Sequence, residues 1–266
     1  MSNRSCRRTH RIPYTPSMSD DLIRFLAESH HALVCTGAGI STGSGIPDFR
    51  GPSGVWKTRK PVLYQDFMTS ESSRIEHWEY KLEGWSHFQH ANPNAIHHAI
   101  AKLEQAGKLL LLVTQNIDGL HTQAGTSAQR LVEIHGTNSQ VECQTCFKRY
   151  PPEPQFEYFR HHRKPPQCPC GGFLKLATIS FGQALREDDL DRAYAAADEA
   201  DFVIALGSTL SVQPAASIPL VAAERGIPYV IINRGPTDQD NHPAVTLRLD
   251  GDIADLFPPA VSTVLT

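Results

Sequence analysis

An α/β protein built on a doubly wound parallel sheet is what this sequence predicts, on three observations. Short apolar runs of strand length alternate along the chain with segments of helical periodicity, the order that parallel strands require because each crossover takes a helix's worth of chain. Most of these runs end in small or polar residues, at the edge where open α/β sheets hold ligands. The first ends most abruptly, with Ala32-Leu33-Val34-Cys35 breaking into glycines at positions 37, 39, 43 and 45.

At 266 residues the chain is long enough for one large domain with a smaller insertion. Its net charge of −3 gives no global attraction to nucleic acid or anionic membrane, so partners must be chosen by a local site. No apolar run nears the roughly 20 residues of a membrane span, and no signal-peptide core follows Met1. The expectation is a cytoplasmic protein with no membrane and no direct nucleic-acid partner.

Residues 1–18 carry Arg4, Arg7, Arg8, His10 and Arg11 with two prolines, a disordered basic tail. A transit peptide shares the Arg bias, but the prolines spoil an amphipathic helix. Ser19 is the expected N-cap of a helix, with Leu22-Ile23 and Leu26-Ala27 four residues apart. Beyond the first strand, glycines permit a tight turn and close backbone approach to a phosphate. Gly37, Gly39 and Gly43 are spaced one residue longer than the dinucleotide fingerprint. The continuation Ile46-Pro47-Asp48-Phe49-Arg50-Gly51 strengthens that weak signal by adding a carboxylate, an aromatic and a guanidinium.

Residues 51–86, from Trp56 to Trp85, are aromatic, charged and helical in pieces, a helical insertion beside the glycine-rich turn. Asn94 opens an amphipathic helix with Ile96, Ile100 and Leu103 on one face and Gly107 after its end. A strand over residues 109–114 delivers Gln115-Asn116-Ile117-Asp118-Gly119-Leu120-His121, and a strand over 131–134 delivers His135-Gly136. Residues 139–175 change character, with Cys143-x-x-Cys146, Cys168-x-Cys170 and a basic run over 160–164. Without a secretion signal such pairs suggest a metal, and a metal would hold together a module too poor in apolar residues to build its own core. The alternation resumes with a strand over 179–181, a helix over 187–200, a strand over 202–206 ending in Gly207-Ser208-Thr209, and a helix over 214–225. A strand over 229–232 then ends in Asn233-Arg234-Gly235, and a last strand over 245–249 precedes Asp250-Gly251-Asp252.

Taken in this order, GAGISTGSGIPDFRG at 37–51, QNIDGLH at 115–121, HG at 135–136, the cysteine pairs, GSTLSVQPAA at 207–216 and GD at 251–252 resemble the sirtuins, NAD-dependent protein lysine deacylases. Matching blocks run from about residue 20 to 258. The resemblance implies a Rossmann-like NAD-binding domain over residues 19–50, 87–138 and 176–266. It adds a small domain made of the helical insertion and a zinc-binding module over 139–175, with NAD and acyl-lysine meeting in the cleft between. Gly37, Ala38, Gly39 and Ile40 would line the pyrophosphate and nicotinamide region, with Asp48, Phe49 and Arg50 on the loop that closes over it. Gln115, Asn116, Ile117 and Asp118 would hold the nicotinamide and its ribose, while Gly207, Ser208, Thr209, Asn233, Arg234 and Asp252 surround the adenosine half. The segment 178–182, with Ile179, Phe181 and Gly182, would pair with the substrate backbone as an added strand. Cys143, Cys146, Cys168 and Cys170 would hold structural zinc.

The implied activity is removal of acetyl groups from lysine side chains of proteins or peptides, with NAD consumed and nicotinamide and O-acetyl-ADP-ribose released. Asn116 and His135 would be catalytic, His135 as general base on a ribose hydroxyl, a role suited to a group that titrates near working pH. His97, His98 and His121 read as structural or surface residues. Two alternatives share the NAD site, a mono-ADP-ribosyltransferase and a catalytically silent NAD-binding interaction module; intact His135 and Gln115-Asn116-Ile117-Asp118 count against the silent one.

Two departures from the family pattern carry expectations. Cys168-Pro169-Cys170 is one residue shorter than the usual pair, which predicts a strained or looser metal site in which His161 or His162 could substitute. Phe181-Gly182-Gln183 has an amide where the family has an acid. Phe49, Ile117, Ile134, Ile179 and Phe181 would give the acyl tunnel its apolar lining. Relatives that remove succinyl or malonyl groups carry Tyr-x-x-Arg in the helical insertion, and none occurs between Gly51 and Pro93. Acetyl is therefore expected over succinyl, unless another cation such as Lys81 reaches the carboxylate.

Overall fold

The computed structural model describes residues 16–48 and 60–266, with the side chains described from residue 20. Residues 1–15 of the basic tail, Phe49 and Arg50 lie outside the described residues, while residues 16–18 open a helix. A six-stranded sheet takes the order β3-β2-β1-β7-β8-β9, formed by β1 (Ala32–Thr36), β2 (Leu109–Thr114), β3 (Leu131–Glu133), β7 (Phe202–Leu206), β8 (Tyr229–Asn233) and β9 (Leu247–Asp250). Every pairing in it is parallel. The order reverses between β1 and β7, so the connections that leave their carboxyl ends part to opposite sides and frame a crevice. The chain thus has the Rossmann-like, doubly wound α/β sheet expected of it.

Alternation along the strands makes two cores. Val34, Leu112, Ile204 and Ile232 face α1 (Pro16–Glu28), α4 (Ala95–Gln105) and α9 (Ile253–Leu265). Their neighbours Leu33, Val113, Val203 and Ile231 face α7 (Glu187–Glu199) and α8 (Ser217–Ala223). The central strands are apolar throughout because both faces are covered. Asn94 caps α4 as expected: its side chain accepts from the Ile96 N–H at 2.9 Å, while the Asn94 N–H donates to His97 Nδ1 at 3.2 Å.

A second, antiparallel sheet has the order β5-β4-β6, from β4 (Gly136–Cys143), β5 (Arg149–Tyr150) and β6 (Leu174–Thr178). It packs with α6 (Pro152–His162) and with α3 (Glu71–His90), which follows the short α2 (Tyr64–Thr69). Trp78 and Trp85 of α3 close this core against Phe156, Phe159 and Leu176, and Trp78 Nε1 donates to the Leu174 carbonyl at 3.2 Å. The apolar surface missing from the cysteine module is therefore supplied by the helical insertion, whose helix runs past residue 86 to His90.

Five elements differ from expectation. α1 starts at Pro16, so Ser19 lies inside the helix; proline is at home in a first turn. The strand expected over 179–181 lies at Leu174–Thr178 and belongs to the small sheet, because the buried Lys175 interrupts the apolar pattern that would have marked it. β9 lies two residues later than expected and α8 is shorter. α9 was not expected at all, since Pro258 and Pro259 sit inside it. Among the described residues no helix is long and apolar enough to cross a membrane.

Candidate active site and metal centre

β1 ends by delivering Gly37 into a 3₁₀ turn over Ala38–Ser44, packed against the end of β7. The Gly37 N–H donates to the Leu206 carbonyl at 3.0 Å and the Gly39 N–H to the Gly207 carbonyl at 2.9 Å. A Cβ on Gly37 would stand 2.7 Å from the Gly207 oxygen, and one on Gly207, whose φ is +64°, would stand 2.7 Å from the Ile40 nitrogen. These glycines are demanded by the close contact of the turns that follow β1 and β7, in addition to any ligand.

The run after β2 ties this turn down. The Asn116 amide, buried, donates to the Gly37 carbonyl at 3.1 Å and to Ser41 Oγ at 3.2 Å, and Ser41 in turn donates to Asp118 at 2.7 Å. Burial pushes the Asp118 carboxyl up from its ordinary range despite hydrogen bonds from the Leu120 N–H and the Ser41 hydroxyl. Gln115 Nε2 donates to Ser208 Oγ at 3.0 Å, linking the ends of β2 and β7.

His135 stands between the two sheets. Its Nδ1 lies 3.2 Å from the Gln115 carbonyl. A carbonyl only accepts, so Nδ1 carries the proton and Nε2 the lone pair in the neutral ring. The next residue, Gly136, has φ +72°, and a Cβ there would fall 2.1 Å from the Ala177 carbonyl oxygen. The His135 carbonyl accepts from the Ile179 N–H at 2.7 Å, which fixes the segment after β6 beside the histidine. Phe181 is exposed at the end of that segment and Gly182 has φ +81°. Gln183 accepts from the Ser180 N–H at 3.1 Å, so the amide that replaces the family's acid stabilises its own turn.

A cavity of about 1290 Å³ joins these groups. Gly37, Ala38, Gly39, Asp48, Gln115, Asn116, Ile117 and His135 line it, together with Ile179, Phe181 and Gly182. Gly207, Ser208, Thr209, Asn233, Arg234 and Asp252 line its other end, where Arg234 and Asp252 pair at 2.6 Å and Asp252 also caps α9. Ile40 does not reach the cavity, being wholly buried in the core under the turn, and Asp118 lies behind Asn116. Of the residues expected to line the acyl tunnel, Ile117, Ile179 and Phe181 line this cavity, while Ile134 is buried in the core under α7. Three lining residues were not foreseen as a group: His77, Tyr80 and Lys81. The signal was their spacing, since positions 77 and 81 share a helical face.

His97 and His121 are buried against each other, and His98 is exposed, as their reading as structural or surface residues requires.

The four cysteines converge, with Cys143, Cys146, Cys168 and Cys170 offering sulfurs all within 4.8 Å of one another. The Cys143–Cys170 and Cys146–Cys168 sulfurs are 3.5 and 3.7 Å apart, near the roughly 3.8 Å edge of a tetrahedron with 2.3 Å Zn–S bonds. N–H groups of Thr145 and Cys146 point at Cys143 Sγ. The Tyr150 hydroxyl, 3.1 Å from Cys168 Sγ, brings that thiol down to about 6, toward the thiolate a metal needs. The shortened pair is accommodated by a turn in which the Cys168 N–H donates to the Gly172 carbonyl, and a Cβ on Gly172 would meet Cys143 Sγ at 2.6 Å. The expected looseness is therefore not needed, and His161 and His162, exposed on the last turn of α6, are not in the cluster. The donor set fits structural zinc.

Comparison with known proteins agrees with this geometry. The Sir2 family model matches residues 37–214. An NAD-dependent protein deacetylase of Rhodopseudomonas palustris is 39% identical over 92% of this chain and 98% of its own length. A solved Sir2 complex with a p53 peptide and NAD+ superposes with a TM-score of 0.82 at 33% identity, covering 91% of this chain and 97% of that one. A Sir2 structure bound to acetylated peptide gives 0.81 at 33% identity over 92% and 97%. With a family model over most of its length and relatives this similar end to end, the chain belongs to the Sir2 family.

Proposed function

We propose that this protein is an NAD-dependent protein lysine deacetylase that takes acetyl-lysine proteins or peptides as substrates and releases nicotinamide and O-acetyl-ADP-ribose. The observation that carries the reading is the His135 ring, held by the Gln115 carbonyl in the same cavity that Gln115, Asn116 and the segment 179–182 line. A cavity of about 1290 Å³ exceeds the roughly 300–1,000 Å³ of a small-molecule site, as two substrates sharing it would require.

Gly37, Ala38, Gly39, Gly207, Ser208, Thr209, Asn233, Arg234 and Asp252 would hold the dinucleotide, with Ile40 supporting the turn from below and Asp48 opening the loop that continues into Phe49 and Arg50. NAD supplies an electrophilic ribose carbon. The protein's part is to place the acyl oxygen in line with it, largely an orientation effect. Ile179, Phe181 and Gly182 would fix the peptide, and Ile117 the acyl chain. Asn116 is oriented by the Gly37 carbonyl and by Ser41, which Asp118 holds in turn. His135 Nε2 would take the proton of a ribose hydroxyl, with Nδ1–H held on Gln115.

Mass spectrometry of NAD and an acetyl-lysine peptide incubated with the pure protein tests this directly. Equal amounts of nicotinamide, free lysine peptide and O-acetyl-ADP-ribose are expected. ADP-ribose attached to protein would instead mark a transferase, and unchanged substrates a silent module. His135→Ala should lower turnover by about 10² to 10⁴-fold with NAD binding retained, the usual weight of a general base.

A further inference from the structure

One wall of the cavity, where α3 meets β4 and β6, brings together Lys81, His77 and the Asn138 amide, and also carries the exposed Glu76. Lys81 lines the cavity, and its ammonium donates to Asn138 Oδ1 at 3.3 Å and lies 5.9 Å from the Tyr80 ring. Among the described residues no carboxylate pairs with it. Glu76, one turn earlier on α3 and exposed, lines the same cavity without pairing to Lys81. His77 is buried on the same wall with no partner for Nε2. Asn138 is 2% exposed; with its oxygen turned to Lys81, its Nδ2 is a buried donor without an acceptor. Behind them the ammonium of Lys175, 1% exposed, is held by the carbonyls of Leu176 and Thr178.

A cation withdrawn from water without a counter-ion is costly, and a cluster of them more so. Burial brings Lys81 down to about 8, and burial with repulsion from Lys81 brings Lys175 down to about 7. A carboxylate placed beside Lys81 would supply the counter-ion that it lacks, whereas Lys175 already feels the attraction of Glu142. The wall adjoins the acyl path, because the Asn138 N–H donates at 2.8 Å to the carbonyl of Ile117, which lines the cavity beside His135.

We propose that this wall receives the terminal carboxylate of an acyl chain carried by the substrate lysine, with Lys81 as its counter-ion, so that the site removes dicarboxylic acyl groups as well as acetyl. The inference rests on the deacetylase reading and extends the acyl range that the missing Tyr-x-x-Arg pair suggested. The chemistry at the lysine amide is the same: the acyl oxygen displaces nicotinamide at the ribose carbon, the acyl carbon passes to a ribose hydroxyl, the amide C–N bond breaks to release the lysine amine, and one water is consumed in forming the O-acyl-ADP-ribose. Only the far end of the acyl chain differs. A lysine ammonium makes a point-charge contact to a carboxylate, where an arginine would make a forked one.

The test compares kcat/KM on one peptide bearing acetyl-, butyryl-, succinyl- or glutaryl-lysine, for the wild-type protein and for Lys81→Met and Lys81→Arg. The wild type is expected to remove succinyl or glutaryl. The ratio of that rate to the acetyl rate should fall about tenfold or more in Lys81→Met and stay within about threefold in Lys81→Arg, the scale of one charge-assisted contact. Using the ratio within one preparation removes any general effect of the substitution on folding, and butyryl separates chain length from charge. A wild type that removes acetyl but neither dicarboxylic group overturns the proposal, as does a ratio unchanged in Lys81→Met. A protein that removes no acyl group and releases no nicotinamide overturns the deacetylase reading itself.

Discussion

His97 and His121 stack at 4.9 Å between ring centroids in the core beside the nucleotide turn, where only one nitrogen of each ring has a protein partner. Burial first, then repulsion from His98, brings His97 to about 4, and burial first, then repulsion from His97, brings His121 to about 3. A histidine whose folded pKa is depressed stabilises the fold fully above its unfolded pKa near 6.5, and loses that contribution as pH falls toward the folded value. The protein should therefore weaken between pH 6.5 and about 4, by on the order of 3 kcal/mol per ring. His97→Gln removes one titration while keeping the capping box, since glutamine also serves at that position. Urea unfolding at pH 7.5 and pH 5 should show a smaller loss in His97→Gln than in the wild type; an equal loss would remove the pair as the source of acid sensitivity.

The zinc module tests the same chemistry at the scale of an element. Its sheet and α6 depend on α3 for a core and on four thiolates for closure, with Tyr150 and backbone N–H groups holding Cys143 and Cys168 ready. Protein purified without chelator should carry about one zinc per chain, and Cys168→Ser should lose most of it, because a site needs all four ligands. Loss of metal should expose the residues between β4 and β6 to protease while the six-stranded sheet stays protected, since the large sheet has its own two cores. Protection lost equally in both would show that the two sheets unfold as one.

Across the whole molecule, the elements whose residues state their own environment were legible. Residues 109–114 and 202–206 are apolar because both faces are covered, and Gly207, Gln115 and His135 stand at strand ends where a ligand site belongs. What hid had two causes: residues that break an element's own local pattern, Lys175 within β6 and Pro258 and Pro259 within α9, and a partner distant in sequence, as where Lys81 meets Asn138, 57 positions away. The contact between the ends of β1 and β7 unites both kinds of information, since each glycine is visible in the sequence but their mutual contact is not. Gly207 combines φ +64° with a Cβ position 2.7 Å from the Ile40 nitrogen, whereas Gly226 has φ +86° and open space around it. Gly226→Ala should cost about 1 kcal/mol from backbone strain alone. Gly207→Ala adds a clash with backbone that has no rotamer to escape by, so it should cost about 3 kcal/mol or more and part Gly39 from Gly207. Because that contact sits at the point where the sheet order reverses, NAD affinity should fall with it. Denaturant unfolding and calorimetric titration with NAD of both variants measure the two effects, and equal stability costs with unchanged affinity would show that this contact does not shape the nucleotide site.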